Sequence, residues 1–216
     1  MRWKMQFTIL LLVAFGWCQV LQAQTSQEEE QLQQSWFPLK GGYSWTFRME
    51  GEKQKLVWRV ILQPESDPNS FILDAALGTR TLDAEVLQVR EDGIYRTQVG
   101  LERISPGVPI LLNEQTTWQS KFRLQRRENT FAATKEPAQI KVPAGTFETI
   151  LVTSTVTDQN VKHELLTWYA KGTGPVKMVI RDGKKDLVLE LERFRKIPVV
   201  PKPKSKARQP RTTPKN

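Results

Sequence analysis

The sequence predicts an all-β protein: a single antiparallel curved sheet, half-barrel or barrel-like, and three observations carry that prediction. Apolar and polar residues alternate with a period of two over many short segments, a pattern that a half-buried strand satisfies and a helix does not. Turn-forming pairs separate the segments, among them Asp92-Gly93 and Asp182-Gly183, whose residues tolerate the positive backbone angles of a tight hairpin turn. Long helical periodicity is absent, so there are no crossover helices to connect parallel strands. A sandwich is the alternative. Large aromatics on one face of several strands favour the curved form, because a concave face must be filled by bulky side chains or by a ligand.

Taken in chain order, the first element is an address. Arg2 and Lys4 precede an apolar run from Phe7 to Trp17, and Leu21-Gln22-Ala23 places a small residue before a polar stretch. That is the layout of a secretory signal peptide over residues 1–23, with cleavage after Ala23. The run falls short of the roughly 20 apolar residues a membrane span needs. Lipid attachment at Cys18 is the competing reading, and Trp17 stands against it, where a small residue is wanted. The chain is therefore expected to be exported, periplasmic or extracellular. Cys18 is the sole cysteine, so the mature chain has no disulfide, no thiolate nucleophile and no cysteine metal site. Residues 24–35, rich in Glu and Gln, read either as a linker or as a short amphipathic helix.

Residues 36–195 form the antiparallel β domain, and a domain of about 160 residues buries a sufficient core without staples. Tyr43, Trp45, Phe47 and Met49 alternate with Ser44, Thr46, Arg48 and Glu50. The same alternation returns at Leu56, Trp58, Val60 and Leu62, at Tyr95, Val99 and Leu101, at Trp118, Phe122 and Leu124, and at Leu187, Leu189 and Leu191. The two Asp-Gly turns pair 84–91 with 94–101 and 175–181 with 185–194. Residues 196–216 carry seven basic residues, five prolines and no acid, a composition that cannot bury a core and predicts a disordered tail.

Charge is distributed unevenly. The chain has 32 Lys plus Arg and 23 Asp plus Glu, but two of the bases lie in residues 1–23 and seven in the tail, so the body is neutral. A neutral body argues against specific nucleic-acid binding by the folded domain, since such platforms carry basic residues in excess over the fold. The tail either holds the protein salt-sensitively to an anionic polymer or membrane surface, or acts only as a solubilising terminus.

Candidate chemistry is sparse. His163 is the one histidine, so a catalytic triad or a histidine-rich metal site lacks partners, and an ordinary strand histidine is the simpler reading. Glu190 and Glu192 share one strand face, whereas glycosidase-type chemistry needs two carboxyls on opposite sides of a substrate. Gly172-Thr173-Gly174 runs into Pro175 and a strand, not into the helix N-terminus that would hold a phosphate. No cofactor or metal is expected, and the chain reads as a non-enzyme, with a carboxylate hydrolase the remote alternative. The tryptophans are the candidates: Trp45, Trp58, Trp118 and Trp168 either line a concavity for an apolar or amphipathic small ligand or meet one another as core.

Three segments carry a resemblance: Trp36-Phe37-Pro38-Leu39-Lys40-Gly41-Gly42-Tyr43-Ser44-Trp45, Val142-Pro143-Ala144-Gly145-Thr146-Phe147, and Trp168-Tyr169-Ala170-Lys171-Gly172-Thr173-Gly174-Pro175-Val176-Lys177. In order and spacing this resembles a group of uncharacterised exported bacterial β-proteins with FPL-x-x-G-x-x-W, VPAG-x-F and WYA-x-G-x-G-x-VK motifs. The resemblance spans roughly Trp36 to Phe194 and implies a curved sheet comparable with lipoprotein-carrier and lipocalin-like folds. It implies no activity and assigns no residue a role. The function expected is a noncatalytic envelope binding or carrier module for a lipid-like or amphipathic ligand. A structural or protein-interaction domain with a filled core is the alternative.

Overall fold

The computed structural model describes residues 30–62, 67–159, 161–183 and 186–196. Residues 1–29, which include the expected signal peptide with Cys18 and Ala23, and residues 197–216, the expected tail, lie outside the described residues. A short helix, Glu30–Gln34, opens the described chain, on the segment expected to be linker or helix. Among the described residues no helix is long and apolar enough to cross a membrane.

Thirteen strands follow: β1 (Tyr43–Met49), β2 (Lys55–Leu62), β3 (Ser70–Leu77), β4 (Arg80–Thr81), β5 (Glu85–Arg90), β6 (Gly93–Val99), β7 (Glu102–Leu112), β8 (Thr117–Leu124), β9 (Arg127–Val142), β10 (Gly145–Asp158), β11 (Val161–Ala170), β12 (Gly174–Arg181) and β13 (Leu187–Lys196). Each pairs antiparallel with its sequence neighbour, except that β3 pairs with both β4 and β5. The first strand also pairs with the last, Tyr43 opposite Lys196 and Met49 opposite Leu189. The result is a closed up-and-down barrel of twelve strands, with β4 a spur on β3. Closure leaves no long free edge for another chain to extend.

The alternation seen in the sequence decides which side chains face in. On β1 Tyr43, Trp45 and Phe47 are buried, and on β13 Leu189 and Leu191. Both expected hairpins form, with Arg90 opposite Gly93 and Ile180 opposite Leu187. Leu101 corrects the sequence reading. The strand stops at Val99 because Gly100 turns the chain at φ 57, and Leu101 stands at the tip of the β6–β7 turn, 97% exposed. Lys196, grouped with the tail by charge, ends β13.

A barrel of twelve strands is wider than the eight whose side chains just fill the interior, and aromatics take up the difference. Trp45 and Phe47 are fully buried, and Phe71, Trp118, Phe122 and Phe131 nearly so. The ladder thins at one place: β7 and β8 share a single register pair, Ser105 opposite Arg123. Pro106 and Pro109 on β7 have no N–H to donate. There the Trp118 indole N–H donates to the Pro109 carbonyl at 2.7 Å, and the Lys135 ammonium donates to the Leu112 and Asn113 carbonyls at 2.7 and 2.8 Å. The β9–β10 hairpin is longer than its neighbours and curls back. Its tip residue Ala144 donates an N–H to the Leu191 carbonyl of β13 at 2.9 Å, where β12–β13 pairing has stopped one residue earlier at Glu190.

Candidate functional site

The segment Trp36–Lys40 crosses the barrel end at which β1 begins. Phe37, Pro38 and Leu39 are buried there. Phe37 packs edge-on against Trp45 at 5.6 Å and, tilted, against Tyr169 at 5.7 Å. The β11–β12 turn receives it: the Gly172 N–H donates to the Ser35 carbonyl at 2.8 Å, and the Trp45 indole N–H donates to the Thr173 carbonyl at 2.6 Å. Gly174 is buried at φ 91, and a Cβ there would sit 3.1 Å from Phe37 and 3.2 Å from Trp45. The first and third sequence motifs are thus the two halves of one plug.

The plug leaves a groove of about 530 Å3 between itself and the opposite rim of the barrel. Leu39, Phe71, Val89, Ile94 and Leu111 give it an apolar floor, with Trp36 at its side. Its charged lining residues are both cations, Lys40 and Arg90. The Arg90 guanidinium is fixed 4.0 Å over the Tyr95 ring, with its Nε donating to Gln88 at 2.8 Å. The Lys171 ammonium sits 5.2 Å over the Trp36 ring.

A second space lies in the barrel interior. It measures about 160 Å3 and is bounded by side chains of β6, β7 and β9 to β12, including Ile110, Phe131, Val152, Leu165 and Tyr169, with His163 and Glu164 towards the far end. Arg96 lines it, its Nε donating to Glu85 at 2.8 Å. Burial pushes the Tyr169 phenol up to about 12. Arg96 and the Thr167 hydroxyl pull it back a little, and the Glu85 carboxylate adds to the rise.

The four tryptophans expected to bind ligand do not gather round either space. Trp45 is fully buried, stacked on Phe194 at 5.3 Å. Trp118 is buried against the β7–β8 seam, its N–H satisfied by Pro109. Trp58 lies half-buried, edge-on to Phe47 at 5.4 Å. Trp168 projects from the face of β11 opposite Tyr169, with the Lys177 ammonium 5.8 Å from its ring. The tryptophan that does reach the groove is Trp36, which sequence reasoning passed over because it stands outside any alternating run. Its signal was its position beside Phe37-Pro38-Leu39, an apolar cluster ahead of the first strand.

The two carboxylates of the expected pair, Glu190 and Glu192, line neither space. Glu190 accepts from Arg48 at 2.8 Å and Lys177 at 3.2 Å, and Glu192 from Lys55 at 2.7 Å. Burial raises the Glu190 carboxyl, but the hydrogen bonds from Arg48 and Lys177 outweigh it and hold the group below its ordinary value. The hydrogen bond from Lys55 lowers Glu192 likewise. Both are therefore members of ion pairs with basic side chains of neighbouring strands. His163 is exposed on β11, opposite Val156 of β10. Among the described residues no three His, Asp or Glu side chains group to hold a metal ion.

No protein-family model and no curated protein sequence matches the chain. Two solved structures are similar. One, from Parabacteroides distasonis and described as a "putative lipoprotein", is 14% identical with a TM-score of 0.43, over 74% of this chain and 98% of its own. The other, from Bacteroides fragilis and described as a "putative exported protein with YmcC-like fold", is 16% identical with a TM-score of 0.40, over 74% of this chain and 98% of its own.

Proposed function

We propose that the chain is a noncatalytic binding module of the bacterial cell envelope that holds a lipid-like or other amphipathic ligand in the groove beneath the plug. The groove carries this reading. Its volume of about 530 Å3 falls within the ~300–1,000 Å3 typical of small-molecule pockets. Its apolar floor suits a hydrocarbon body, and Lys40 and Arg90 suit an anionic head. The signal-peptide layout of residues 1–23 supports export, and the motif resemblance supports a bacterial source. Lys196, the last residue of β13, pairs with Tyr43 at the plugged end, and the sequence that follows it carries six more basic residues. A tail bound to an anionic surface would hold the groove near it.

The test is native mass spectrometry of the protein exported through its own signal and purified gently, followed by organic extraction. Excess mass on the folded form, lost on denaturation and reduced in Arg90→Glu, supports the reading and identifies the ligand class. A clean mature mass under the same conditions overturns it. That outcome favours a structural or protein-interaction domain, for which the filling of the interior by Trp45, Phe47 and Leu191, all without exposure, is the specific support.

A further inference from the structure

We infer that the barrel interior contains a second binding site, distinct from the groove, for a small uncharged molecule with a hydrocarbon body and one hydrogen-bond-accepting oxygen. The space holds about 160 Å3, close to the ~150 Å3 apolar cavity that accommodates a benzene ring. An acyl lipid is therefore too large, and a molecule of about eight to ten non-hydrogen atoms is the right size.

The lining is divided. Ile110, Phe131, Val152, Val156, Leu165 and Ile180 supply an apolar wall. Arg96, Ser154, Thr167 and Tyr169 supply a polar side, built from inward positions that the same alternation fills with Phe, Leu and Val elsewhere in the barrel. Arg96 spends its Nε on Glu85, which leaves the terminal N–H groups of the guanidinium as donors. Ser154 donates to the Leu165 carbonyl at 3.2 Å, so its lone pairs also remain available. Glu85 already balances the charge of Arg96, so an anion entering here would be an unmatched charge taken out of water. An uncharged hydroxyl or carbonyl oxygen accepts from the guanidinium without that penalty. The way in is from the far end, where His163 is exposed and Glu164 is drawn aside by Arg181 at 2.7 Å.

His163 also provides the readout, because it is the one histidine in the chain and its ring gives a single set of imidazole NMR signals. Benzyl alcohol, toluene and benzoate share one ring and differ in the polar end. Titrated into the full chain at neutral pH, benzyl alcohol should shift the His163 signals saturably. Toluene and benzoate should each bind about tenfold more weakly. Ser154→Leu, which fills the space from the β10 side, should abolish the shift. The unmodified protein alone is decisive if that variant does not fold: no saturable shift with any of the three probes overturns the proposal, as does benzoate binding at least as well as benzyl alcohol. A shift that persists in folded Ser154→Leu places the probe elsewhere and overturns it too. Native-mass ligand in the groove is read separately through Arg90→Glu, so failure here leaves the groove reading intact, and the reverse.

Discussion

The indole of Trp45 donates to the carbonyl of Thr173, 128 residues further along the chain, at 2.6 Å. This bond joins the first strand to the β11–β12 turn and fixes the floor on which the plug rests. Trp45→Phe keeps an aromatic six-membered ring but removes the donor and the indole's second ring, leaving a carbonyl without its partner and a small void at a fully buried position. We expect a loss of about 2–3 kcal/mol, read as a lower urea midpoint with an unchanged m-value. An unaltered midpoint would mean that water replaces the indole without cost.

Gly174 and Gly183 separate packing from backbone conformation. Both have positive φ, 91 and 88, but a Cβ at Gly174 meets Phe37 and Trp45 while one at Gly183 meets open space. Alanine at Gly183 should cost about 1 kcal/mol from the left-handed backbone alone. Alanine at Gly174 should cost on the order of 2 kcal/mol more, as overpacking adds to it. Equal melting temperatures for the two variants would show that the plug yields freely.

Tyr169 predicts behaviour in alkali. Its pKa is raised from 10.0 to about 12 because the neutral phenol is buried, so its contribution to stability is complete below pH 10 and is lost as pH rises through the folded value. The full loss is on the order of 2–3 kcal/mol. Thermal melts of the native protein should fall steeply between those limits, and Tyr169→Phe should flatten that fall. A variant that tracks the native protein point for point would assign the alkaline loss to other groups.

Removal of residues 197–216 addresses the tail. The truncated protein should keep its melting temperature, since β13 is complete at Lys196, and should lose salt-sensitive sedimentation with anionic phospholipid vesicles. Retained sedimentation after truncation would transfer the interaction to the barrel.

Local features of the fold were legible in the sequence. Tyr43, Trp45 and Phe47 announce β1 because each polar neighbour is outside, and Asp92-Gly93 and Asp182-Gly183 announce their hairpins because those residues favour the turn. Ring closure was not legible, since nothing local in Tyr43 specifies Lys196 as a partner. Leu101 misled because an alternating pattern continues through Gly100, where the backbone turns. The candidate site was less visible still. Indole rings at Trp45 and Trp118 are equally good for filling a core or lining a pocket, and only the positions of the Thr173 and Pro109 carbonyls decide. The groove joins Trp36 and Lys40 to Ile94 and Leu111, and the interior space joins Arg96 to Ser154. Those pairings come from barrel geometry, to which periodicity along a single strand is blind.

The pairing of Tyr43 with Lys196 has a consequence in time. A chain made from its N-terminus presents β1 long before β13 exists, and the entropy of closing so long a loop must be met before the final ladder contributes anything. Until then the edges of β1 and the growing meander stay unsatisfied, and Trp45 waits for Thr173. The barrel is therefore completed only once β13 has been made, so that closure is the last step of its assembly and cannot run ahead of synthesis.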